Sequence, residues 1–389
     1  MTGPLIYLIA GEPSGDFLGG RLMAALRERT GGAVRFAGIG GEEMAAQGLA
    51  SRVPLDELAI MGVAEVLPRA RRIFRRVAET IEDIIRARPD AVVTIDSSGF
   101  TWRIAHGLRR RGARLPLIHY VAPMVWAWRA GRARRMARWY DHLLVLMPFE
   151  PPLFAKVGLA CTYVGHPAVE SGADRGDGAA FRRRHAIPAD AKLLVLLPGS
   201  RRGEVSRLLP VLEAAAHALA RRYPGLRVAL PTTATVRDTV NAAVARWSMP
   251  VIVVGREEKY DAFAAGDVAL AASGTVALEL ALAGLPAVVA YRVNRLTHAL
   301  LKRIVKVRYA HLLNLVLGRE AVPELLQENC TPERLAAAAA RLLDDPAARA
   351  AQIAACREGL AALGQGATSP SLRAADAVLA IIAARAPRV

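Results

Sequence analysis

Short apolar runs alternate with longer segments of mixed apolar and charged residues along most of the chain. In the first half these runs predict buried strands at Leu5–Ala10, 34–38, Ala91–Ile95, 117–121 and 142–146. The segments between them, such as 18–29, 73–88 and 101–111, have apolar residues at helical spacing. Alternating strands and helices predict a parallel sheet covered by helices.

The same pattern begins again after a stretch rich in Gly, Pro and Asp at 164–178, which is typical of a linker. Residues 192–210 repeat the order of strand, glycine loop and helix, and further strands are expected at 228–231, Val251–Val254, 268–271 and 287–290. We therefore predict an α/β protein with two Rossmann-like, doubly wound domains that face a cleft. The expected domains are 1–168 and 169–345, followed by C-terminal helices at 346–389 that could pack back on an N-terminal domain.

The composition favours a well-packed protein of a reducing compartment. Of the 389 residues 53% are hydrophobic, and the three cysteines (Cys161, Cys330 and Cys356) lie far apart. This spacing argues against a zinc site and against a disulfide scaffold. The N-terminal apolar run has no basic segment before it and stops at Gly11, so we expect no signal peptide. No uninterrupted apolar stretch reaches the roughly 18–20 residues that span a bilayer.

The net charge of +17 changes this picture, because it attracts phosphates, nucleic acids or anionic lipid surfaces. Two basic amphipathic segments, 60–77 and 296–318, favour a membrane surface. The alternative is that each is a helix with its apolar side on the protein core. The residues expected at the membrane are Val63, Val66, Leu67, Arg71, Arg72, Arg75 and Arg76. A nucleic-acid groove would need exposed aromatic residues among the arginines, and aromatics make up only 5% of the chain.

The two halves open with glycine loops of opposite charge. Gly199, Ser200 and Arg201 form a small basic loop that suits a diphosphate. Residues 11–16 form a small acidic loop (Gly11, Glu12, Pro13, Ser14, Gly15 and Asp16), which suits sugar hydroxyls better than phosphates. The second half is therefore expected to bind a nucleotide and the first half the other substrate. The alternative is that both loops are only tight turns.

Three further positions carry candidate chemistry. Ser273, Gly274 and Thr275 precede a predicted helix and could bind an anion, with Glu279 accepting hydrogen bonds from a ribose. Asp96 ends a buried strand and could take a proton from an attacking hydroxyl. Trp126 and Trp128 lie among arginines and could line a sugar or acyl pocket, stack on bases or simply pack. For the first two sites the alternative is ordinary helix capping. No HExxH, Walker loop or Asp-x-Asp occurs, so no metal and no cofactor are expected.

Several of these motifs together resemble one family, the lipid-A-disaccharide synthases. The matching residues occur in order along most of the chain: Gly11-Glu12-x-Ser14-Gly15-Asp16, Tyr120-Val121-x-Pro123-x-Val125-Trp126-Ala127-Trp128, Leu197-Pro198-Gly199-Ser200-Arg201, Ser273-Gly274-Thr275 and Asn314-x3-Gly318-Arg319-Glu320-x-Val322-Pro323-Glu324. One motif departs from the family pattern, Asp-x-Pro-x-Phe-Asn. Here Ser98 and Thr101 replace its proline and asparagine, which weakens the assignment of Asp96 as the base. Near Pro123, Ala122 and Met124 replace serines of the family.

The resemblance implies a glycosyltransferase of the two-domain B-type fold. Such an enzyme transfers diacylglucosamine from UDP-2,3-diacylglucosamine to 2,3-diacylglucosamine 1-phosphate with inversion, in lipid A biosynthesis. It implies catalytic roles among Asp96, Arg201, Glu12 and Asp16, a nucleotide site that includes Asn314, and an acceptor side with Ser14, Gly15 and Trp126. It also implies a cytoplasmic enzyme peripheral to the inner face of the inner membrane, with a homodimer possible. The alternatives are another UDP-sugar enzyme, such as a 2-epimerase or the lipid-linked peptidoglycan glycosyltransferase, and a nucleic-acid-binding protein.

Overall fold

The computed structural model describes residues 3–58, 63–127, 131–294 and 307–385, and these form two six-stranded parallel sheets covered by helices. The chain divides into two units. One consists of the residues before 168 together with those after 365, and the other consists of residues 168–365. The predicted α/β class with two doubly wound domains is confirmed.

The first unit contains a sheet with the strand order β2-β1-β3-β4-β5-β6. Its strands are nearly continuous apolar runs, as expected for parallel strands buried on both faces. The elements are β1 (Leu5–Ala10), α1 (Pro13–Arg29), β2 (Arg35–Ile39), α2 (Glu42–Ala46), α3 (Val63–Ala87), β3 (Ala91–Ile95), α4 (Ser98–Arg110), β4 (Leu117–Tyr120), α5 (Gly131–Met136), β5 (His142–Val145), α6 (Pro151–Ala155) and β6 (Ala160–Tyr163).

The second unit contains a sheet with the order β12-β11-β10-β7-β8-β9, and apolar residues of α8 and α13 pack in its main core. The elements are α7 (Gly178–Arg184), β7 (Leu193–Leu197), α8 (Arg202–Arg222), β8 (Arg227–Pro231), α9 (Arg237–Val244), β9 (Val251–Val254), α10 (Lys259–Ala265), β10 (Val268–Ala272), α11 (Thr275–Leu282), β11 (Ala287–Tyr291), α12 (Leu312–Leu317), β12 (Glu324–Leu326), α13 (Pro332–Asp344) and α14 (Pro346–Ala362).

The C-terminal helices belong to different units, whereas the sequence suggested one segment at 346–389. Helix α14 stays with the second unit, where the side-chain amide of Gln352 exchanges hydrogen bonds of 2.8 and 3.0 Å with the backbone of Ala287. The last helix, α15 (Pro370–Arg385), packs on α1 of the first unit. Arg29 and Asp376 join α1 and α15 through two hydrogen bonds of 2.7 and 3.0 Å.

Helix α1 begins five residues earlier than expected, at Pro13 instead of residue 18. Proline favours the first position of a helix, because its ring fixes a helical φ and the N–H that it lacks would have no partner there. Glycine disfavours the interior of a helix, so Gly11 and Gly15 led to the prediction of a loop at the start of α1. Most of the loop 11–16 is therefore the first turn of a helix.

Candidate functional site

The strand order reverses at one place in each sheet, and the loops selected from the sequence lie at these two places. In the first sheet β1 lies between β2 and β3, and in the second β7 lies between β8 and β10. Ligands of open α/β sheets bind beyond the carboxyl ends of strands at such reversals. The first reversal places the loop after β1 beside Asp96, and the second places Gly199–Arg201 beside Ser273–Thr275.

At the first reversal, the loops after β1 and β3 are in contact. A Cβ atom on Gly11 would lie 2.4 Å from Ser97 Oγ, so only glycine fits there. Ser14 Oγ donates a hydrogen bond of 3.2 Å to Asp96 Oδ2. The side chains of Glu12 and Ser14 are exposed and Asp96 is partly exposed, so these polar groups are accessible at the carboxyl edge.

The backbone that carries Asp96 is strained. Asp96, Ser97 and Val121 have φ angles of 49°, 44° and 76°, in the left-handed region that such residues rarely occupy. Neighbouring strands hold this conformation, because the Asp96 N–H donates to Tyr120 O and the Val121 N–H to Leu144 O, both at 3.0 Å. This left-handed conformation turns the chain out of the sheet at Asp96, directly after β3.

The substitution of Thr101 for the family's asparagine keeps a polar group against this turn. Thr101 is fully buried, and its Oγ1 lies 3.0 Å from the carbonyl oxygens of both Asp96 and Ser97. A hydroxyl can donate to either carbonyl and so supports the unusual backbone from inside. Phe100, the motif residue that is retained, is buried in the core beside it.

Asp16, one of the catalytic candidates, is part of a buried link between two helices. Its side chain is buried, and its two oxygens accept hydrogen bonds from the N–H groups of Gly41 (2.6 Å), Glu43 (2.9 Å) and Met44 (3.1 Å). These are N–H groups at the start of α2, which the helix itself leaves without acceptors. Asp16 therefore caps α2 from α1.

Trp126 contacts a buried carboxylate that the sequence analysis missed. Its indole N–H donates to Glu150 Oε1 at 3.2 Å, and its ring packs edge-on against Phe149. Glu150 also accepts hydrogen bonds from the N–H groups of Leu146 and Met147, at 3.1 and 2.9 Å. Burial raises the pKa of Glu150 to about 7. The signal that selected Asp96 does not extend to Glu150, because Asp96 directly follows β3 whereas Glu150 lies five residues beyond the end of β5.

At the second reversal, the basic loop leads directly into α8. Gly199 has a φ of 110°, which favours glycine, and Arg201 is the N-cap residue of this 21-residue helix. The Arg201 side chain is 66% exposed, and its closest acidic contact is Glu204 at 3.4 Å. Ser200 is exposed beside it. The exposed guanidinium and the N-terminal N–H groups of α8 form an electropositive site suited to phosphates.

The adjacent loop after β10 leads into α11. Gly274 has a φ of 154°, and Thr275, the first residue of the helix, is exposed. Ser273 Oγ donates to Ala310 O at 3.2 Å. Glu279 lies one turn farther along and binds Lys259 at 2.6 Å and the Tyr260 hydroxyl at 3.1 Å. A ribose hydroxyl that donates to Glu279 would therefore share the carboxylate with Lys259 and Tyr260, or displace one of them.

Asn314, which was expected at the nucleotide site, lies inside a motif of buried hydrogen bonds. It is completely buried, and its amide nitrogen donates to Val322 O at 2.8 Å and to Glu324 at 2.6 Å. Its amide oxygen accepts from the N–H groups of Ala321 and Val322, at 2.8 and 2.9 Å. Glu324 in turn accepts from the backbone N–H groups of Ala310 and His311. This motif fixes the segment next to Ser273 and leaves Asn314 no donor for a ligand.

The residues expected at a membrane divide into three groups. The side chains of Val63, Val66 and Leu67 lie outside the described residues, as do Trp128 and part of each basic segment. Arg72 and Arg76 both bind Glu57, at 2.5 and 2.8 Å. Arg71 and Arg75 are exposed on α3. Within the described ranges, no helix is long and apolar enough to span a membrane, and no group of His, Cys, Asp or Glu side chains could hold a metal ion.

Solved structures place the fold in a class of nucleotide-sugar enzymes. A UDP-GlcNAc 2-epimerase from Neisseria meningitidis matches with a TM-score of 0.64 at 10% identity, over 98% of this chain and 100% of that one. A glycosyltransferase of kitacinnamycin also matches with a TM-score of 0.64, at 18% identity over 98% and 99% of the two chains. At these identities the likeness concerns the fold alone. The fold is thus that of the B-type glycosyltransferases and their epimerase relatives.

Sequence comparison narrows this class to one family. The family model for lipid-A-disaccharide synthetase matches residues 6–378. The lipid-A-disaccharide synthase of Rhodospirillum centenum is 58% identical over 98% of this chain and 95% of its own length, and that of Paramagnetospirillum magneticum is 56% identical over 97% of both. The chain belongs to the lipid-A-disaccharide synthase family, the glycosyltransferases of lipid A biosynthesis. The resemblance drawn from the sequence motifs is confirmed.

Proposed function

We propose that the protein joins UDP-2,3-diacylglucosamine to 2,3-diacylglucosamine 1-phosphate, giving the β(1→6)-linked disaccharide 1-phosphate and UDP. The family match supports the reaction, because it covers both sheets and both strand-order reversals. The observation that carries the mechanism is the pair of sites at these reversals. One presents an accessible carboxylate and the other an accessible guanidinium at a helix N-terminus.

The reaction needs a base for the attacking hydroxyl, and Asp96 is our assignment. The 6-hydroxyl oxygen of the acceptor attacks the anomeric carbon of the donor, the bond from that carbon to UDP breaks, and the hydroxyl proton passes to the carboxylate. Ser14 bonds to Asp96 Oδ2, and no described residue donates to Oδ1. Oδ1 is therefore available to a substrate hydroxyl. Fixing a base within hydrogen-bond reach contributes roughly 10²–10⁴-fold to such reactions.

The departing diphosphate needs positive charge, which we assign to the second unit. Arg201 has an exposed guanidinium, and the first N–H groups of α8 are directed toward the same loop. Charge placed in advance where the leaving group develops negative charge lowers the barrier. Gly199, Ser200, Gly274 and Thr275 complete this donor site, with Ser273 and Glu279 at its edge.

We assign the acceptor to the first unit. Glu12 and Ser14 are exposed next to Asp96, and Gly15 lets the first turn of α1 approach β3 closely, since a Cβ there would lie 3.2 Å from Ile95 O. Acidic side chains accept hydrogen bonds from sugar hydroxyls and repel a diphosphate. Both substrates carry acyl chains, so we further propose that the basic surface of α3 holds the enzyme on the cytoplasmic face of the inner membrane.

The direct test is product analysis with both diacyl sugars. UDP should be released only when donor and acceptor are both present, and mass spectrometry should show the tetraacyl disaccharide 1-phosphate. Release of UDP without acceptor, or a donor epimerised at C2, would instead identify the epimerase chemistry of the structural neighbours.

Variants test the roles assigned to Asp96 and Arg201. Arg201→Ala should lower turnover by roughly 10²–10³-fold, the scale of one lost transition-state contact. Asp96→Asn should also lower turnover strongly while UDP affinity, measured by calorimetry, stays within about twofold, since no diphosphate contact is lost. Exposed residues of the second unit supply matched controls, Arg246→Ala and Asp190→Asn. If Asp96→Asn keeps wild-type turnover, another residue must be the general base, and Glu12 is the next candidate.

A further inference from the structure

The first unit contains a pocket of about 690 Å³ that the roles assigned above do not use. Its walls come from α4, α5 and the turn after α5. The side chains that define its chemistry are Trp102, Arg103, His106, Arg132, Arg135 and Trp139. No carboxylate lines it, so the pocket is both aromatic and cationic.

The aromatic wall includes a polar group without a partner. Trp102 and Trp139 pack edge to face with ring centroids 6.1 Å apart, and His106 lies 5.3 Å from Trp139. Trp102 is 9% exposed, and its indole N–H is buried without a hydrogen-bond acceptor. Buried donors nearly always have a partner, so this one points to an acceptor that is absent from the protein itself.

The cationic wall is suited to a phosphate. The Arg132 guanidinium lies 5.5 Å from the centroid of the Trp102 ring, and Arg103 lies 5.4 Å from the centroid of Phe74, which is 57% exposed. Among the described residues, no carboxylate forms an ion pair with Arg103 or Arg135. Guanidinium groups bind phosphates through paired hydrogen bonds, and aromatic rings pack against the apolar face of a sugar or an acyl chain. The pocket therefore fits a phosphate that is carried by an amphiphile.

The pocket also lies close to the proposed base. Gly99, which follows the carboxyl end of β3, is part of its lining. Gly99 is three residues after Asp96, so the two Cα atoms are at most roughly 10 Å apart. A single pyranose ring separates the 6-hydroxyl of the acceptor from its anomeric phosphate. A sugar with its 6-hydroxyl at Asp96 can therefore extend its phosphate toward this pocket.

We propose that this pocket is the subsite for the phosphate monoester of the acceptor, with Arg103, Arg132 and Arg135 binding the phosphate against the wall formed by Trp102 and Trp139. The inference rests on the proposed function, because it takes the acceptor to be an acylated glucosamine 1-phosphate. The same chemistry would also bind the phosphate of a bilayer phospholipid, and the experiment separates these two sources.

The test compares the acceptor with the same sugar lacking its phosphate. For Arg135→Ala we expect the KM of the phosphorylated acceptor to rise about tenfold or more, equivalent to about 1.4 kcal/mol. The KM of the unphosphorylated acceptor and that of the donor should stay within about twofold. Arg134→Ala on the same helix is the matched control, since Arg134 is exposed and does not line the pocket.

Two results would overturn the assignment. One is an equal effect of Arg135→Ala on both acceptors. The other is unchanged acceptor kinetics in detergent together with weaker binding to phosphatidylglycerol vesicles, which would make the pocket a site for lipid headgroups. If the wild-type protein forms no disaccharide at all, the proposed function fails, but the subsite is still tested. Titration of the two acceptors, followed by tryptophan fluorescence, must then show a preference for the phosphorylated sugar that Arg135→Ala removes.

Discussion

Asp96 and Glu150 show how two carboxylates at the same edge of one sheet acquire different properties. Asp96 is partly exposed and has a hydroxyl partner, so it can exchange a proton with a substrate. Glu150 is buried, and desolvation outweighs its three N–H donors, so its pKa rises to about 7. The residue type alone therefore does not decide which carboxylate serves chemistry.

Glu150 should make stability depend on pH near neutrality. Its pKa is raised from 4.5 to about 7 in the folded protein, so between these values the folded state binds more protons than the unfolded state. The free energy of unfolding should then fall as pH rises through this window, by up to about 1.4 kcal/mol per pH unit. Glu150→Gln should remove this slope in urea unfolding between pH 5 and 8. The exposed Glu28→Gln is the control, and parallel curves for Glu150→Gln and wild type would contradict the prediction.

At the scale of elements, the loops at the strand-order reversals depend on buried polar links between neighbouring helices and strands. Asp16 joins α1 to α2, and Asn314 with Glu324 joins α12 to β12. These links satisfy backbone groups that would otherwise be buried without partners. They hold the loops in place without contacting a substrate.

Asp16→Ala tests the first of these links. Three N–H donors would lose their acceptor, so the unfolding free energy of the first unit should fall by about 2 kcal/mol. Scanning calorimetry should show a lower melting temperature, while UDP affinity stays within about twofold. Glu12→Gln is the contrast within the same turn, because Glu12 is exposed and should affect acceptor use without lowering the melting temperature. If the melting temperature of Asp16→Ala equals that of the wild type, Asp16 does not stabilise the fold, and a catalytic role becomes the better explanation.

Much of the fold was accessible from the sequence, because buried parallel strands are continuous apolar runs between glycine loops. The short strands β6 (Ala160–Tyr163) and β12 (Glu324–Leu326) were missed, since both are only partly buried and contain polar residues. The placement of the selected loops at one edge of each sheet was also accessible, because parallel strands end at one edge, whereas the ligands of these loops stay a prediction. The separate roles of Asp16, Asn314 and Glu150 were not, since capping and catalysis use the same residue types and differ only in burial and partners.

At the scale of the whole molecule, the charge of +17 is distributed between internal ion pairs and accessible arginines. On α3, Arg72 and Arg76 lie against Glu57, and their hydrogen bonds lower the pKa of that carboxyl. Arg71 lies on the same helix without a carboxylate partner among the described residues, close in sequence to the exposed Phe74. Part of the positive charge of α3 is therefore compensated by Glu57 within the protein.

Vesicle binding should distinguish these arginines. Arg71→Ala should weaken binding to phosphatidylglycerol vesicles about fivefold, since a basic residue near such a surface contributes about 1 kcal/mol. Arg72→Ala should have a smaller effect, because its charge is already compensated by Glu57. Sedimentation at low and high salt, with neutral phosphatidylcholine vesicles as the control, measures both. Equal losses for the two variants would mean that Glu57 does not shield Arg72 from the membrane.

The return of α15 to the first unit has a consequence for biosynthesis. Residues before 168 leave the ribosome before the second unit, yet α1 packs against a helix formed by residues 370–385, which leave after it. Every residue of the second unit is translated between these two parts. The first unit can therefore be completed only after the second unit has been translated, and α1 keeps an uncovered face throughout that time. A released chain that is truncated after residue 365 would contain all of the second unit and an incomplete first unit, the reverse of the usual order of domain folding.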